Sequence, residues 1–390
     1  MVHTMILQLL VLGAATVLAD PLALYDQALE ARNRRDAPRF MDLTSQLLQY
    51  APRSPPLRFL RAEAFAMSGR TGPAREELRA LARDGYHYAF WERDSFASLP
   101  ASETAALRAA TTRNGEPAGK ISRIVRLDRT DLDPEGIGAL GQDWIVGSMA
   151  NGSLYRVDRS GVTTLLWQET EPKRRLFGVR HDPQRNLVWA CSNGPDDRHA
   201  KPQLLRIALE PVSVARFAVP DAGALCNDIA LLPAGAVAIS DSARGAVWQL
   251  AQTGQWQALA QPGALGYPNG LTYLAGPQQL VVADIRGMWT IDLAERNLVG
   301  IAEQLVFIGG ADGLYAVNGE LVAIQNGVRP HRVLRIALSP LADQVKHVTV
   351  IESNVAELAA MTTAAVTGGE ITVLAGSQLV QFVSSDSADD

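Results

Sequence analysis

Apolar residues follow two rhythms along this chain. From residue 20 to about 112 they recur every three to four positions, as one face of a helix requires. Asp20-Pro21 reads as a cap followed by proline at the first helical position, and Leu22, Tyr25, Ala28 and Leu29 then keep helical spacing. Asp36 with Pro38 starts a second helix, carrying Phe40, Leu43, Leu47 and Leu48 on one face. Ser54-Pro55-Pro56 and Thr71-Gly72-Pro73 start a third and a fourth, and shorter helices are predicted near residues 91–99 and 102–110. After the breaker-rich linker at 113–119 the rhythm changes to period two, in short runs separated by turns such as Asn151-Gly152, Ser160-Gly161 and Asn318-Gly319.

The second regime repeats. Six openings can be aligned: Pro134-Glu135-Gly136-Ile137, Phe177-Gly178-Val179, Cys226-Asn227-Asp228-Ile229, Pro268-Asn269-Gly270-Leu271, Ala311-Asp312-Gly313-Leu314 and Met361-Thr362-Thr363-Ala364. Each precedes a set of short strands, and the spacing of roughly 40–50 residues is that of a four-stranded propeller blade. The pattern predicts a mainly β protein: a six-bladed β-propeller over residues 120–384, preceded by a small α-helical domain over 20–112. The last repeat has strands near 363–367, 371–375 and 378–382 and lacks an outer one. A spare strand at 121–128 is predicted to complete it and close the ring, removing two unpaired edges.

Radial symmetry brings equivalent positions together near the axis. Glu135, Asn227, Asn269 and Asp312 are therefore predicted to meet at one mouth of the channel. Two carboxylates and two amide carbonyls are oxygen donors only, which suits one hard divalent cation: Ca²⁺ first, with Mg²⁺ and Mn²⁺ also accommodated. Each residue also has a structural reading. The glycines permit tight strand starts, and Asn269, Asp312 and Asp228 are ordinary turn residues. His181, His199, His331 and His347 are candidate bases, weighed against the ordinary surface histidine. Trp144, Trp189, Trp248 and Trp289 read as packing between blades.

Composition narrows the compartment and the partners. A net charge of −5 with no basic block argues against nucleic acid. Residues 1–19 read as a signal peptide with a weak basic region, which predicts a secreted or periplasmic protein, and no later stretch is long and apolar enough to span a bilayer. The polar tail at 385–390 is expected to be disordered. The two cysteines, Cys191 and Cys226, lie near inner strands of consecutive blades, where either a disulfide or two buried thiols is compatible with the sequence.

The openings themselves resemble the senescence marker protein, gluconolactonase and luciferin-regenerating enzyme family. The matches are Asp133-Pro134-Glu135-Gly136-Ile137, Pro268-Asn269-Gly270-Leu271 followed by Val281-Val282-Ala283-Asp284, and Ala311-Asp312-Gly313-Leu314. The resemblance implies a six-bladed propeller with one divalent metal, Zn²⁺ included among the cations accepted. It makes Glu135, Asn269 and Asp312 ligands, places Asn227 beside the metal against substrate, and makes Asp312 the base of lactone hydrolysis. Leu225 stands where the family's enzymes carry an arginine. The third and fourth helices resemble a tetratricopeptide unit through Ala62, Ala64, Phe65, Gly69 and the helix beginning near Ala74, as in a secreted branch with such a segment before the propeller. Two functions follow. One is a metal-dependent hydrolase of a small-molecule lactone or related ester. The other is a non-catalytic periplasmic binding or scaffold protein whose helices engage a protein partner and whose propeller presents a rigid face. A propeller enzyme of the strictosidine synthase type is a third reading.

Overall fold

The computed structural model describes residues 21–194, 201–303 and 306–376. The expected signal peptide, the strand at 378–382, the tail and His199 lie outside the described residues. Helices α1 (Pro21–Asn33), α2 (Ala37–Tyr50), α3 (Pro55–Met67), α4 (Thr71–Arg83) and α5 (Ala101–Asn114) come first. Asp36 caps α2 by accepting a hydrogen bond from the Arg39 amide at 3.1 Å, and proline stands in the first turn of α2 and α3. The apolar faces pack on one another, with Phe40, Leu43, Leu47, Leu57 and Leu60 buried between α1, α2 and α3. No helix among the described residues is long and apolar enough to cross a membrane.

The strands form a propeller of antiparallel four-stranded blades. Blade 1 contains β1 (Pro134–Leu140), β2 (Asp143–Ser148), β3 (Leu154–Val157) and β4 (Thr163–Trp167). Blade 2 contains β5 (Arg175–Asp182), β6 (Leu187–Asn193), β7 (Gln203–Leu209) and β8 (Val212–Ala218). Blade 3 contains β9 (Cys226–Leu231), β10 (Val237–Asp241), β11 (Ala246–Leu250) and β12 (Trp256–Ala260). Blade 4 contains β13 (Leu271–Leu274), β14 (Gln279–Ala283), β15 (Met288–Asp292) and β16 (Leu298–Gly300). Blade 5 contains β17 (Gly313–Val317), β18 (Glu320–Gln325), β19 (Arg332–Leu338) and β20 (Val345–Ser353). The inner strands β1, β5, β9, β13 and β17 stand side by side in that order around the axis.

Among the described residues the structure has five four-stranded blades, not the six expected. Among the described residues the place between blade 5 and blade 1 holds the hairpin β21 (Ala364–Thr367) and β22 (Glu370–Val373), with β21 against both β17 and β1. The segment 121–128 does not pair with this hairpin as a strand. Its end is held by blade 1 instead. The Asp128 amide donates to the Gly161 carbonyl at 3.0 Å, and the Asp128 carboxylate accepts from the Thr163 amide at 3.0 Å and hydroxyl at 2.7 Å. Val125 and Leu127 still pack beside Ala365 and Leu374, so the segment fills the gap with side chains rather than with a hydrogen-bonded ladder.

Cores between neighbouring blades are apolar. Trp189, Val237, Ile239 and Leu250 fill the space between blades 2 and 3, where Cys191 and Cys226 form a disulfide with 5.2 Å between their Cα atoms. The helices rest on blades 4 and 5. Phe307 and Val328 join the helical core, the His87 amide donates to the Arg329 carbonyl at 2.8 Å, and Arg53 pairs with Glu303 at 3.0 Å. Tyr50, at the end of α2, touches the loop before β13 and lies under the Arg286 guanidinium, 5.0 Å from its ring centroid.

Candidate functional site

Backbone irregularities sit at the start of the inner strands. The β1–β2 register shifts between Pro134 and Ile137, the β5–β6 register between Leu176 and Val179, and the β9–β10 register opposite Cys226 and Ile229. Bulges bend a strand and re-aim the side chains within them. Glu135, Phe177 and Asn227 occupy these three positions. In blades 4 and 5 the equivalent residues, Asn269 and Asp312, lie just before the ladder begins, their amides bonded to Ala283 and Ile324 carbonyls at 2.9 and 2.8 Å. Gly136 has no room for a side chain, since a Cβ would lie 2.1 Å from the Phe177 carbonyl oxygen of the neighbouring inner strand. Crowding at the axis requires glycine there.

Asn269 and Asp312 meet directly, with the Asn269 Nδ2 2.5 Å from Asp312 Oδ1. The second oxygen, Asp312 Oδ2, accepts from Asn326 Nδ2 at 2.5 Å, and Asn326 also bonds the Met361 carbonyl. Glu135 is buried, and its backbone carbonyl accepts from the Thr362 and Thr363 hydroxyls, each at 2.8 Å. Its Oε2, like Asn269 Oδ1, is buried without a hydrogen-bond partner. Asn227 is not bonded to the other three. Its Nδ2 donates to Ser242 Oγ at 2.9 Å, and that hydroxyl donates to the Pro268 carbonyl at 2.6 Å, one residue from Asn269.

Electrostatics reflect the crowding. Burial, then the charges of Asp312, Asp228 and Asp133, push the Glu135 carboxyl well above the usual carboxylate range. Burial chiefly pushes Asp312 up to about 7, with Asp228 adding to the rise and the Asn326 and Asn269 amides opposing it. Among the described residues no group of three or more His, Cys, Asp or Glu side chains is close enough to hold a metal. The polar side chains at the mouth are instead two carboxylates and side-chain amides.

Below the mouth the channel is crossed by a cation that sequence reasoning missed. Arg180 belongs to β5, yet its guanidinium stacks on the ring of Tyr315 in β17 at 4.5 Å and reaches the Leu314 carbonyl. It donates to Asp228 Oδ2 at 3.0 Å and to the Ile229 carbonyl at 2.8 Å. Asp228 also accepts from the Ile229 and Leu271 amides. Burial pushes its carboxyl up, against the pull of Arg180. The contact joins the inner strands of blades 2 and 5 across the axis. No local signal marks Arg180. Asp228 reads as a turn residue in sequence, and Asn326 shows only as the last residue of a repeated strand.

The candidate histidines do not gather at the mouth. His181 lies at the far end of β5, His347 is exposed on the outermost strand β20, and His331 bonds Arg329. Burial and then the Arg329 charge hold His331 down to about 4. Trp144 and Trp189 are buried in cores between sheets, as packing residues would be.

No protein-family model matches the chain, and no curated protein matches it. Solved structures align with part of the chain at low similarity. A catalytically inactive variant of virginiamycin B lyase from Staphylococcus aureus with quinupristin is 13% identical, over 64% of this chain and 79% of that one, with a TM-score of 0.48. A protein of unknown function from Bacteroides thetaiotaomicron is 11% identical, over 66% and 69%, with a TM-score of 0.47. A chain of a nidogen/laminin complex is 17% identical, over 58% and 82%, with a TM-score of 0.45. Likeness of this order says nothing about the chemistry of the mouth.

Proposed function

We propose that the mouth binds one divalent cation through Glu135, Asn269 and Asp312, with Asn227 beside it, and hydrolyses a lactone or related ester. The observation that carries this reading is the pair of orphaned buried oxygens, Glu135 Oε2 and Asn269 Oδ1, beside a second buried carboxylate. Unpaired oxygens in a buried site are costly unless a proton or cation satisfies them. An oxygen-only set with two negative charges matches Ca²⁺ better than metals that favour nitrogen or sulfur. The motif resemblance points the same way. A bound cation would polarise a substrate carbonyl and offset the charge that develops on its oxygen.

The chain's own residues supply the rest. Asp312 is held by two amide donors, one on each oxygen, which fixes its plane at the mouth. The motif resemblance makes Asp312 the base that takes a proton from an attacking water. The Asn227 amide nitrogen is committed to Ser242, which turns its carbonyl oxygen to other partners and suits it to orienting substrate. Arg180 is already bonded to Asp228 and stacked on Tyr315, so its charge is paired inside the ring.

Metal analysis of the purified full chain, with Glu135→Ala and Asp312→Ala alongside, tests the reading. One equivalent of Ca²⁺ or Mn²⁺ in the wild type and none in either variant is expected, with acid release from a lactone panel lost in parallel. Wild-type protein that binds no cation and hydrolyses nothing would sink the hydrolase and leave the scaffold function.

A further inference from the structure

We infer that Tyr50 and Tyr86 of the helical segment are positioning residues for the mouth. Each covers an arginine that braces the loop leading to a proposed ligand, Asn269 in blade 4 and Asp312 in blade 5. The inference rests on the reading of the mouth as a cation site and adds two residues from outside the propeller.

The two braces share one construction. Extending the β13–β14 register places Asn269 opposite Asp284, and extending the β17–β18 register places Asp312 opposite Gln325. Both of these partners are buried, and each holds the backbone of the loop before an inner strand. Asp284 Oδ2 accepts from the Gly266 amide at 2.8 Å, three residues before Asn269. Gln325 Nε2 donates to the Phe307 and Gly309 carbonyls at 3.0 and 2.8 Å, and Gly309 stands three residues before Asp312. An arginine then locks each partner. Arg286 donates from Nε to Asp284 Oδ2 at 2.7 Å and from Nη2 to the Ala264 carbonyl at 2.9 Å. Arg332 donates from Nε and Nη2 to Gln325 Oε1 at 3.0 and 2.7 Å.

The helical segment completes both. The Arg286 guanidinium lies 5.0 Å from the Tyr50 ring centroid, and the Arg332 guanidinium lies 5.1 Å from that of Tyr86. Tyr50 also meets the loop itself, since a Cβ on Gly266 would lie 2.7 Å from its hydroxyl. In blades 1 to 3 the residues that end the second strands, Ser148, Asn193 and Asp241, bond to propeller groups instead: the Leu132 carbonyl, the Cys226 carbonyl and the Trp248 indole. The braces with helical rings therefore stand on the two blades that carry Asn269 and Asp312. The blade 4 loop needs outside support, because Tyr267, next to Gly266, has φ of 53°, a conformation that persists only where the surroundings impose it. A ring beside a guanidinium favours its charge and shields its N–H groups from water. Removing the ring loosens the arginine, then the side chain it locks, then the loop, and a metal ligand is only as fixed as the groups behind it.

Amide exchange read by mass spectrometry on the full chain tests the braces without relying on a bound cation. Tyr50→Ala should speed exchange over residues 263–270 about 5-fold, the effect of one lost cation–ring contact, and leave residues 306–313 within about 2-fold of wild type. Tyr86→Leu should give the reverse pattern. Arg286→Met reads the blade 4 brace from the propeller side and should reproduce the Tyr50→Ala pattern even if that variant undocks the helices. Calcium affinity by calorimetry should weaken about 3- to 10-fold in each variant. The crossed exchange pattern together with a wild type that binds no calcium would overturn the cation reading and keep the braces. Unchanged exchange in both loops, exchange that rises equally across the helices and both loops, or wild-type calcium affinity in all three variants would overturn the positioning role.

Discussion

Replacing Arg180 with methionine tests the cross-channel network most directly. Methionine keeps most of the side-chain volume and removes the charge. Asp228, 2% exposed, would keep its bonds from the Ile229 and Leu271 amides but lose its only counter-ion. Breaking one side of a buried ion pair costs about 3–5 kcal/mol, because the remaining charge is left without compensation in a poorly solvated place. The stacking of the guanidinium on Tyr315 adds to the loss, at about 2 kcal/mol for a desolvated pair. A destabilisation of about 5–7 kcal/mol at high pH is therefore expected, read by urea unfolding with circular dichroism. The sign with pH follows from Asp228. Its folded pKa already lies above the ordinary 3.8 through burial, and loss of Arg180 raises it further. A carboxyl with a raised folded pKa supports the fold while protonated and ceases to do so as pH rises through that pKa. The gap between Arg180→Met and wild type should thus narrow as pH falls and widen as it rises. Combining Arg180→Met with Asp228→Asn should recover about 2 kcal/mol relative to the sum of the single variants. A cost under about 1 kcal/mol, a gap that ignores pH, or simple additivity would refute the reasoning.

Two further outcomes follow from the site and its support. In cation-free protein Asp312 titrates near 7 and Glu135 is also raised, so a cation must displace protons. Calcium affinity should rise with pH through about 7, with proton release visible in buffers of different ionisation enthalpy; an affinity flat from about pH 6 to 8 would contradict it. The Cys191–Cys226 bridge closes a loop with a sequence separation of 35 residues, which corresponds to about 3–4 kcal/mol of unfolded-state restriction. A Cys191→Ser/Cys226→Ser protein should lose about that much stability, and a loss under about 1 kcal/mol would show that the bridge does little.

Much of the architecture was legible because it is local or periodic. Prolines after capping residues marked the starts of α2 and α3, since a missing amide hydrogen costs nothing in a first turn. The inner-strand starts were legible because the same short phrase recurs, and symmetry then placed Asn269 and Asp312 in contact. The sixth blade failed because counting strands does not reveal where their edges go. Asp128 is held by the Gly161 turn of blade 1, so its segment never joins the β21–β22 hairpin as a strand. Arg180 was invisible for a related reason. Its partners Asp228 and Leu314 lie 48 and 134 residues away, and no spacing rule connects an inner-strand arginine to a ring across the axis.

The guanidinium bridge between blades 2 and 5 has a consequence for traffic. A hollow propeller could let a long polymer run through from face to face. Here the Arg180 guanidinium, paired with Asp228 and stacked on Tyr315, lies across that path, so a polymer running from face to face would have to break both contacts.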